Sequence, residues 1–217
     1  MSVTLLVDND VVVKLACMDA YSDGLASIGV APAQVGSMGV MLDFMGLANE
    51  QNRRRLTSSA EEAARLHRAV RSITPIEPTD EEALEIAKAS RVVLEQGLDF
   101  QAGELMLTVV ATSRGGLDIA TGDKRALREL PRLEAVWASV TRMRRRFVCL
   151  EQIFRSICSA LGFPRVRAAV TTSPRADETI TFVYEKTQGA GKSGFVAGLD
   201  LVIGEHIEKP APGWLKP

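Results

Sequence analysis

The sequence predicts an α/β protein with a central parallel sheet wound with helices, followed by a C-terminal α+β extension. Three observations predict it. The chain opens on Val3-Thr4-Leu5-Leu6-Val7, a continuous apolar run rich in β-branched residues that stops at Asp8. Such a run suits a strand covered on both faces. Two capping boxes, Ser59-Ala60-Glu61-Glu62 and Thr79-Asp80-Glu81-Glu82, announce helices. Helix and strand patterns then alternate to about residue 140, as in a parallel sheet wound with helices.

Residues 11–20 read as a helix ending near Gly24, and Ile28-Gly29-Val30-Ala31-Pro32 as a second short strand. Residues 34–48 show helical spacing at Val35, Met38, Met41, Leu42 and Met45. The capping boxes start the next two helices, with Ser72-Ile73-Thr74-Pro75-Ile76 as a strand or extended link between them. The second of these helices stops at Gln96-Gly97, a good C-terminal stop. Residues 102–114 are apolar on nearly every side, which marks a buried helix, and Gly115-Gly116 ends it. Residues 117–121 read as a strand, Gly122-Asp123 as its exit, and residues 124–130 as a short helix stopped by Pro131.

Residues 134–140 read as the last strand of a domain spanning 1–140. Residues 141–217 are expected to form the extension. Its predicted parts are a helix over 142–161 closing at Gly162-Phe163-Pro164, strands at 179–186 and 195–203 around a Gly-rich turn, and an irregular tail from Pro210. Phe147, Ile153, Phe154, Ile157 and Leu161 give the helix an apolar stripe, fit to seal it onto the main domain or a second subunit.

Composition narrows the chemistry. The 217 residues carry a net charge of −1, so nucleic acid would have to be held by local basic patches. Cys17, Cys149 and Cys158 are an odd number without a close pairing motif, which fits unpaired buried thiols in a reducing compartment. His67 and His206 lie far apart and no C-x-x-C occurs, so a zinc site is not expected. The N-terminus lacks the basic region and long apolar core of a signal peptide. No apolar run approaches the roughly 20 residues of a membrane span. The expected location is cytoplasmic, with no membrane partner.

Three carboxylates stand where such a fold would bring them together. Asp8 ends the first strand, Asp123 follows the 117–121 strand, and Glu104 begins the buried helix. Ligand sites in open parallel sheets lie beyond the carboxyl ends of the strands, where the winding direction switches. An all-oxygen cluster suits Mg²⁺ or Mn²⁺. Each acid also has a plain structural role: Asp8 as a helix cap, Glu104 in a helix dipole, Asp123 as a turn residue. Asp118 is expected at the opposite rim, about 16 Å from Asp123 along an extended strand.

Leu5-Leu6-Val7-Asp8-Asn9-Asp10 resembles the opening strand of PIN-domain proteins. Ala102-Gly103-Glu104-Leu105 resembles the Gly-Glu helix start of one branch of that family, and Ile119-Ala120-Thr121-Gly122-Asp123-Lys124-Arg125-Ala126-Leu127 resembles its last acidic motif. The resemblance covers roughly residues 1–140. It implies a three-layer α/β/α sandwich, a Mg²⁺ or Mn²⁺ site and RNA cleavage, often as the toxin of a toxin–antitoxin pair, so RNA is the expected substrate. An antitoxin-type protein or a second copy is the expected partner. On this resemblance Asp8, Glu104 and Asp123 are the catalytic and metal-binding acids, helped by Asp10 and Thr121, with Arg125 in the same motif; Asp10, two residues from Asp8, would share its side of a continuing strand. The family's further acid on the helix after its second strand is missing from Val35-Gly36-Ser37-Met38-Gly39, and Asp43 is the nearest substitute.

Two dense basic groups, Arg53-Arg54-Arg55 and Arg142-Arg144-Arg145-Arg146, could hold phosphates or simply be solvated faces. Lys186-Thr187-Gln188-Gly189-Ala190-Gly191-Lys192-Ser193 lacks the first glycine of a phosphate loop and reads as a flexible turn. Three functions compete: a ribonuclease, a catalytically degenerate binding or scaffold module, and a phosphatase or nucleotide hydrolase using the same acids.

Overall fold

The computed structural model describes residues 2–46 and 49–217. A five-stranded parallel sheet forms its centre, ordered β3-β2-β1-β4-β5. The strands are β1 (Leu5–Val7), β2 (Val35–Met38), β3 (Thr74–Ile76), β4 (Asp118–Thr121) and β5 (Phe147–Cys149). Helices α1 (Asn9–Cys17), α2 (Tyr21–Ser27), α3 (Gly39–Phe44), α4 (Glu50–Leu56) and α5 (Ala60–Arg71) precede β3. Then come α6 (Asp80–Glu95), α7 (Ala102–Ser113) and α8 (Lys124–Val136). After β5 run α9 (Leu150–Leu161), α10 (Phe163–Thr172), α11 (Glu178–Thr187) and α12 (Gly191–Ile203).

Strand periodicity sorts the core into two layers. Leu5, Val7, Ala120 and Val148 face a cluster that includes α1, α2, α5 and α9–α12. Leu6, Ile119 and Phe147 face the opposite cluster, which includes α6, α7, α8 and the buried tail residues Trp214 and Leu215. The predicted α/β class with a parallel sheet between helical layers is therefore present. No helix among the described residues is long and apolar enough to cross a membrane.

Local chemistry explains the elements that were foreseen. Ser59 and Thr79 cap α5 and α6, each accepting from the third amide of its helix, and Glu82 returns the bond to the Thr79 amide. The α6 helix ends at Glu95 with Gln96 as its C-cap, followed by Gly97 at φ +57°, and Gly115 and Gly116 adopt positive φ after α7.

Several expected elements are different. No strand forms at residues 28–32; a 3₁₀ turn at Pro32–Gln34 leads instead into β2. The expected helix over 34–48 begins only at Gly39, and its last two positions, 47 and 48, lie outside the described residues. Residues 35–38 are buried throughout, and a wholly buried strand has no polar alternation to betray it. Gly36 fits this place because a side chain there would press on Val3 and Ile76.

Pro131 does not stop α8, which continues to Val136; residues 134–140 form its end and a 3₁₀ turn rather than a strand. The helix expected over 142–161 is interrupted by Arg145 at φ +61° and by β5, and starts at Leu150. Its apolar stripe divides accordingly: Phe147 lies in β5, Ile153, Phe154 and Ile157 enter the core, and Leu161 is exposed.

The expected C-terminal hairpin is a pair of helices. Asp177 caps α11, accepting from the Ile180 amide at 2.7 Å. Ile180, Val183 and Tyr184 on α11, and Phe195, Leu199 and Ile203 on α12, are buried at helical spacing. The tail from Pro210 is irregular, as expected, but it is packed down. Trp214 is fully buried against Phe147, and Leu215 bridges to Phe147 beside β5. Residues after 140 thus extend the first strands' own sheet and core.

Candidate active site

Strand β1 lies between β2 and β4, so the winding direction reverses beside its carboxyl end. The Asp8 amide donates to the Ala120 carbonyl at 3.0 Å, which carries the β1–β4 ladder one residue past the strand. Asp8 and the turn after β4 therefore emerge side by side. A cleft of about 690 Å³ opens here, lined among others by Asp8, Asp10, Lys14, Glu104, Asp123, Lys124 and Arg125.

Asp8 is 4% exposed. Its pKa is pushed up to about 7, first by burial and then by the charges of Glu104 and Asp10. The amides of Asn9 and Asp10 oppose the rise, although Asp8 makes no side-chain capping bond to α1. Glu104 stands in the first turn of α7, and burial, with the nearby charges of Asp123 and Asp10, raises its pKa as well. Its Oε2 is buried without a hydrogen-bond partner, as is Asn9 Oδ1.

Asp123 is the cap of α8, accepting from the amides of Arg125 and Ala126. Burial works against its ionisation, but Arg125, at 2.9 Å, and these amides hold its pKa below the usual carboxylate value. Gln101 reaches it at 3.3 Å. Thr121 Oγ1 accepts from the Asp123 amide at 3.1 Å, which steadies the turn.

Asp10 arrives by a different route from the one expected. It belongs to the first turn of α1 rather than to a continuing strand, and Lys14 holds its carboxylate at 2.6 Å. Asp43 is exposed on α3 and does not line the cleft, so the substitute for the missing helix acid is not brought to the site. Asp118 sits at the far rim, paired with Arg146 and Lys216. That pairing also puts Arg146 away from the cleft, and Arg144 pairs with Glu134. Arg53 and Arg54, with His67, line a separate cavity of about 500 Å³. The nearest carboxylates influence one another, yet no three Asp, Glu, His or Cys side chains among the described residues are drawn together at metal-binding distance.

Sequence reasoning missed two lysines and the acids behind them. Lys14 contacts Asp177 at 3.0 Å, and Lys124 contacts Glu151 at 2.6 Å. The i,i+4 spacing of Asp10 and Lys14 was a usable signal. Asp177 and Glu151 gave none, because they meet the cleft only through the C-terminal helices. No family model, curated protein or solved structure matches this chain.

Proposed function

We propose that this chain is a metal-dependent ribonuclease of the PIN-like kind, hydrolysing RNA phosphodiester bonds in the cleft beside β1. The observation that carries the reading is the meeting of Asp8, Glu104 and Asp123, from three distant segments, around one opening. The parallel sheet with helices on both faces is the architecture that the resemblance implies, and it supports the same reading.

The donor set fits a hard divalent cation. All the donors are oxygens, Glu104 Oε2 is buried without a partner, and Asp8 is raised to about 7 by burial and then by the neighbouring carboxylates. Mg²⁺ or Mn²⁺ bound here would supply an activated water and neutralise charge on the phosphodiester. Asp8 and Glu104 would hold the cation, with Asp8 releasing its proton on binding. Asp123 would join them as Arg125 lets go, Thr121 would steady its turn, and Asp10 would assist from α1. Arg53 and Arg54 sit close in sequence to Leu56, a cleft residue, and could steer the RNA backbone.

Purified protein should degrade RNA with added Mn²⁺ and lose that activity on Asp123→Asn. Full activity in the variant would overturn the assignment. A specific observation favours a second reading, the non-cleaving binding module: Lys14 already neutralises Asp10, and Arg125 already neutralises Asp123. Calorimetric titration with Mn²⁺ separates the two, since a degenerate site takes up no metal.

A further inference from the structure

Two ammonium groups line the cleft, and each is fastened from behind by a carboxylate with almost no access to water. Lys14 lies 3.0 Å from Asp177, which is 6% exposed, and 2.6 Å from Asp10. Lys124 lies 2.6 Å from Glu151, which is 1% exposed, and 3.3 Å from Thr179 Oγ1. The Lys124–Glu151 contact is an ion pair off the hydrogen-bonding direction, and neither Glu151 oxygen has any hydrogen-bond partner. Asp177, Thr179 and Glu151 all belong to the chain beyond β5.

Stability alone is a poor reason for this arrangement. A buried ion pair recovers its desolvation cost incompletely, and an apolar pair of similar volume often serves the fold as well. Here two such pairs converge on one opening, from different helices. An ammonium carries three N–H donors. Each lysine has two partners, so at least one donor remains to each, and the lysine side chains are about one-fifth exposed, 22% and 20%.

We propose that Lys14 and Lys124 form a phosphate-binding pair in this cleft, each contacting a backbone phosphate oxygen of single-stranded RNA. Asp177 and Glu151 are positioning residues that the C-terminal helices contribute. The role of the C-terminal helices in the site is to fix these two cations beside the carboxylates. The choice of RNA as ligand rests on the ribonuclease reading; the phosphate contacts do not depend on cleavage.

The test is binding of a labelled single-stranded RNA, followed by fluorescence anisotropy at pH 6 in EDTA, where no metal-dependent cleavage competes. The variants remove both charges of a pair, Lys14→Met with Asp177→Asn and Lys124→Met with Glu151→Gln, so no buried charge is stranded. Each should weaken binding roughly tenfold, the scale of one charge-assisted hydrogen bond, whereas Lys124→Arg should restore most of it. Unaltered affinity in both pairs, or no RNA binding by the unsubstituted protein, overturns the proposal. A second measurement needs no variant: RNA should protect Lys14 and Lys124 from acetylation, read by mass spectrometry, while Lys88 and Lys209 stay reactive. Equal reactivity of all four with and without RNA also overturns it. Mn²⁺ calorimetry on the same protein keeps the two ideas apart. RNA protection without metal uptake sinks the nuclease and leaves the phosphate pair; metal uptake without protection does the reverse.

Discussion

The Asp10 carboxylate lies against the α-carbon of Gly122, in the space where any side chain at that position would have to go. Lys14 holds the carboxylate there. The atom in the way is the end of a flexible side chain, so Gly122→Ala should fold with a stability change of about 1 kcal/mol or less. It should nonetheless swing Asp10 off its place and reduce the proposed metal-dependent RNA cleavage by an order of magnitude or so. Thermal melting together with initial rates checks both halves; a large loss of stability would mean that Gly122 serves the fold instead.

Asp8 makes stability depend on pH. Folding raises its pKa from 3.8 to about 7, chiefly by burial. The folded state therefore keeps a proton that the unfolded chain has already released. Its contribution to stability is fully present below pH 3.8 and is lost as pH rises through 7, by at most about 4 kcal/mol. Asp8→Asn stays neutral and escapes this loss. Without metal, its melting temperature should exceed that of the unsubstituted protein at pH 8 and approach it at pH 5. Mn²⁺ at pH 8 should raise the melting temperature of the unsubstituted protein alone. Parallel melting curves across that range would refute the burial of Asp8.

How much of this was legible follows from which signals are local. The placement of Asp8, Glu104 and Asp123 at one cleft was readable because each marks the end of a strand or the start of a helix. The capping boxes at Ser59 and Thr79 were readable for the same reason. Val35 to Met38 misled because residues 35, 38, 41 and 42 have helical spacing, although the first four residues of that stretch form a wholly buried strand. Phe195, Leu199 and Ile203 misled in the other direction, since a Gly-rich lead-in and β-branched neighbours disguise a helix. The Lys14–Asp177 and Lys124–Glu151 contacts depend on tertiary packing across many residues, for which no local pattern exists.

Trp214 should be the residue on which the C-terminal segment depends. It is fully buried, sits edge-on to Phe147 at 6.3 Å, and lies beneath the Arg144 guanidinium at 4.8 Å. The Lys216 amide then donates to the Phe147 carbonyl at 2.7 Å, covering the outer edge of β5. Trp214→Ala should destabilise the protein by about 3–5 kcal/mol, as large aromatic truncations in cores do. Denaturant unfolding would show it. A loss below about 1 kcal/mol would mean that the edge strand stands without its cover.

On the proposed metal site, Arg125 decides whether Asp123 is available to a cation. The guanidinium lies 2.9 Å from Asp123 and is itself largely exposed, so it competes with metal while contributing little to the fold. Arg125→Ala should leave the melting temperature nearly unchanged without metal. The freed carboxylate should then bind Mn²⁺ several-fold more tightly, because one competing positive charge is gone. If Arg125 also meets the RNA backbone, the same variant will bind metal better and RNA worse, a split that calorimetry and anisotropy can read on one preparation. Weaker Mn²⁺ binding in Arg125→Ala would show that the guanidinium orients Asp123 toward the cation instead of withholding it. No Mn²⁺ uptake by either protein would favour the non-cleaving module, with Arg125 as the permanent partner of Asp123.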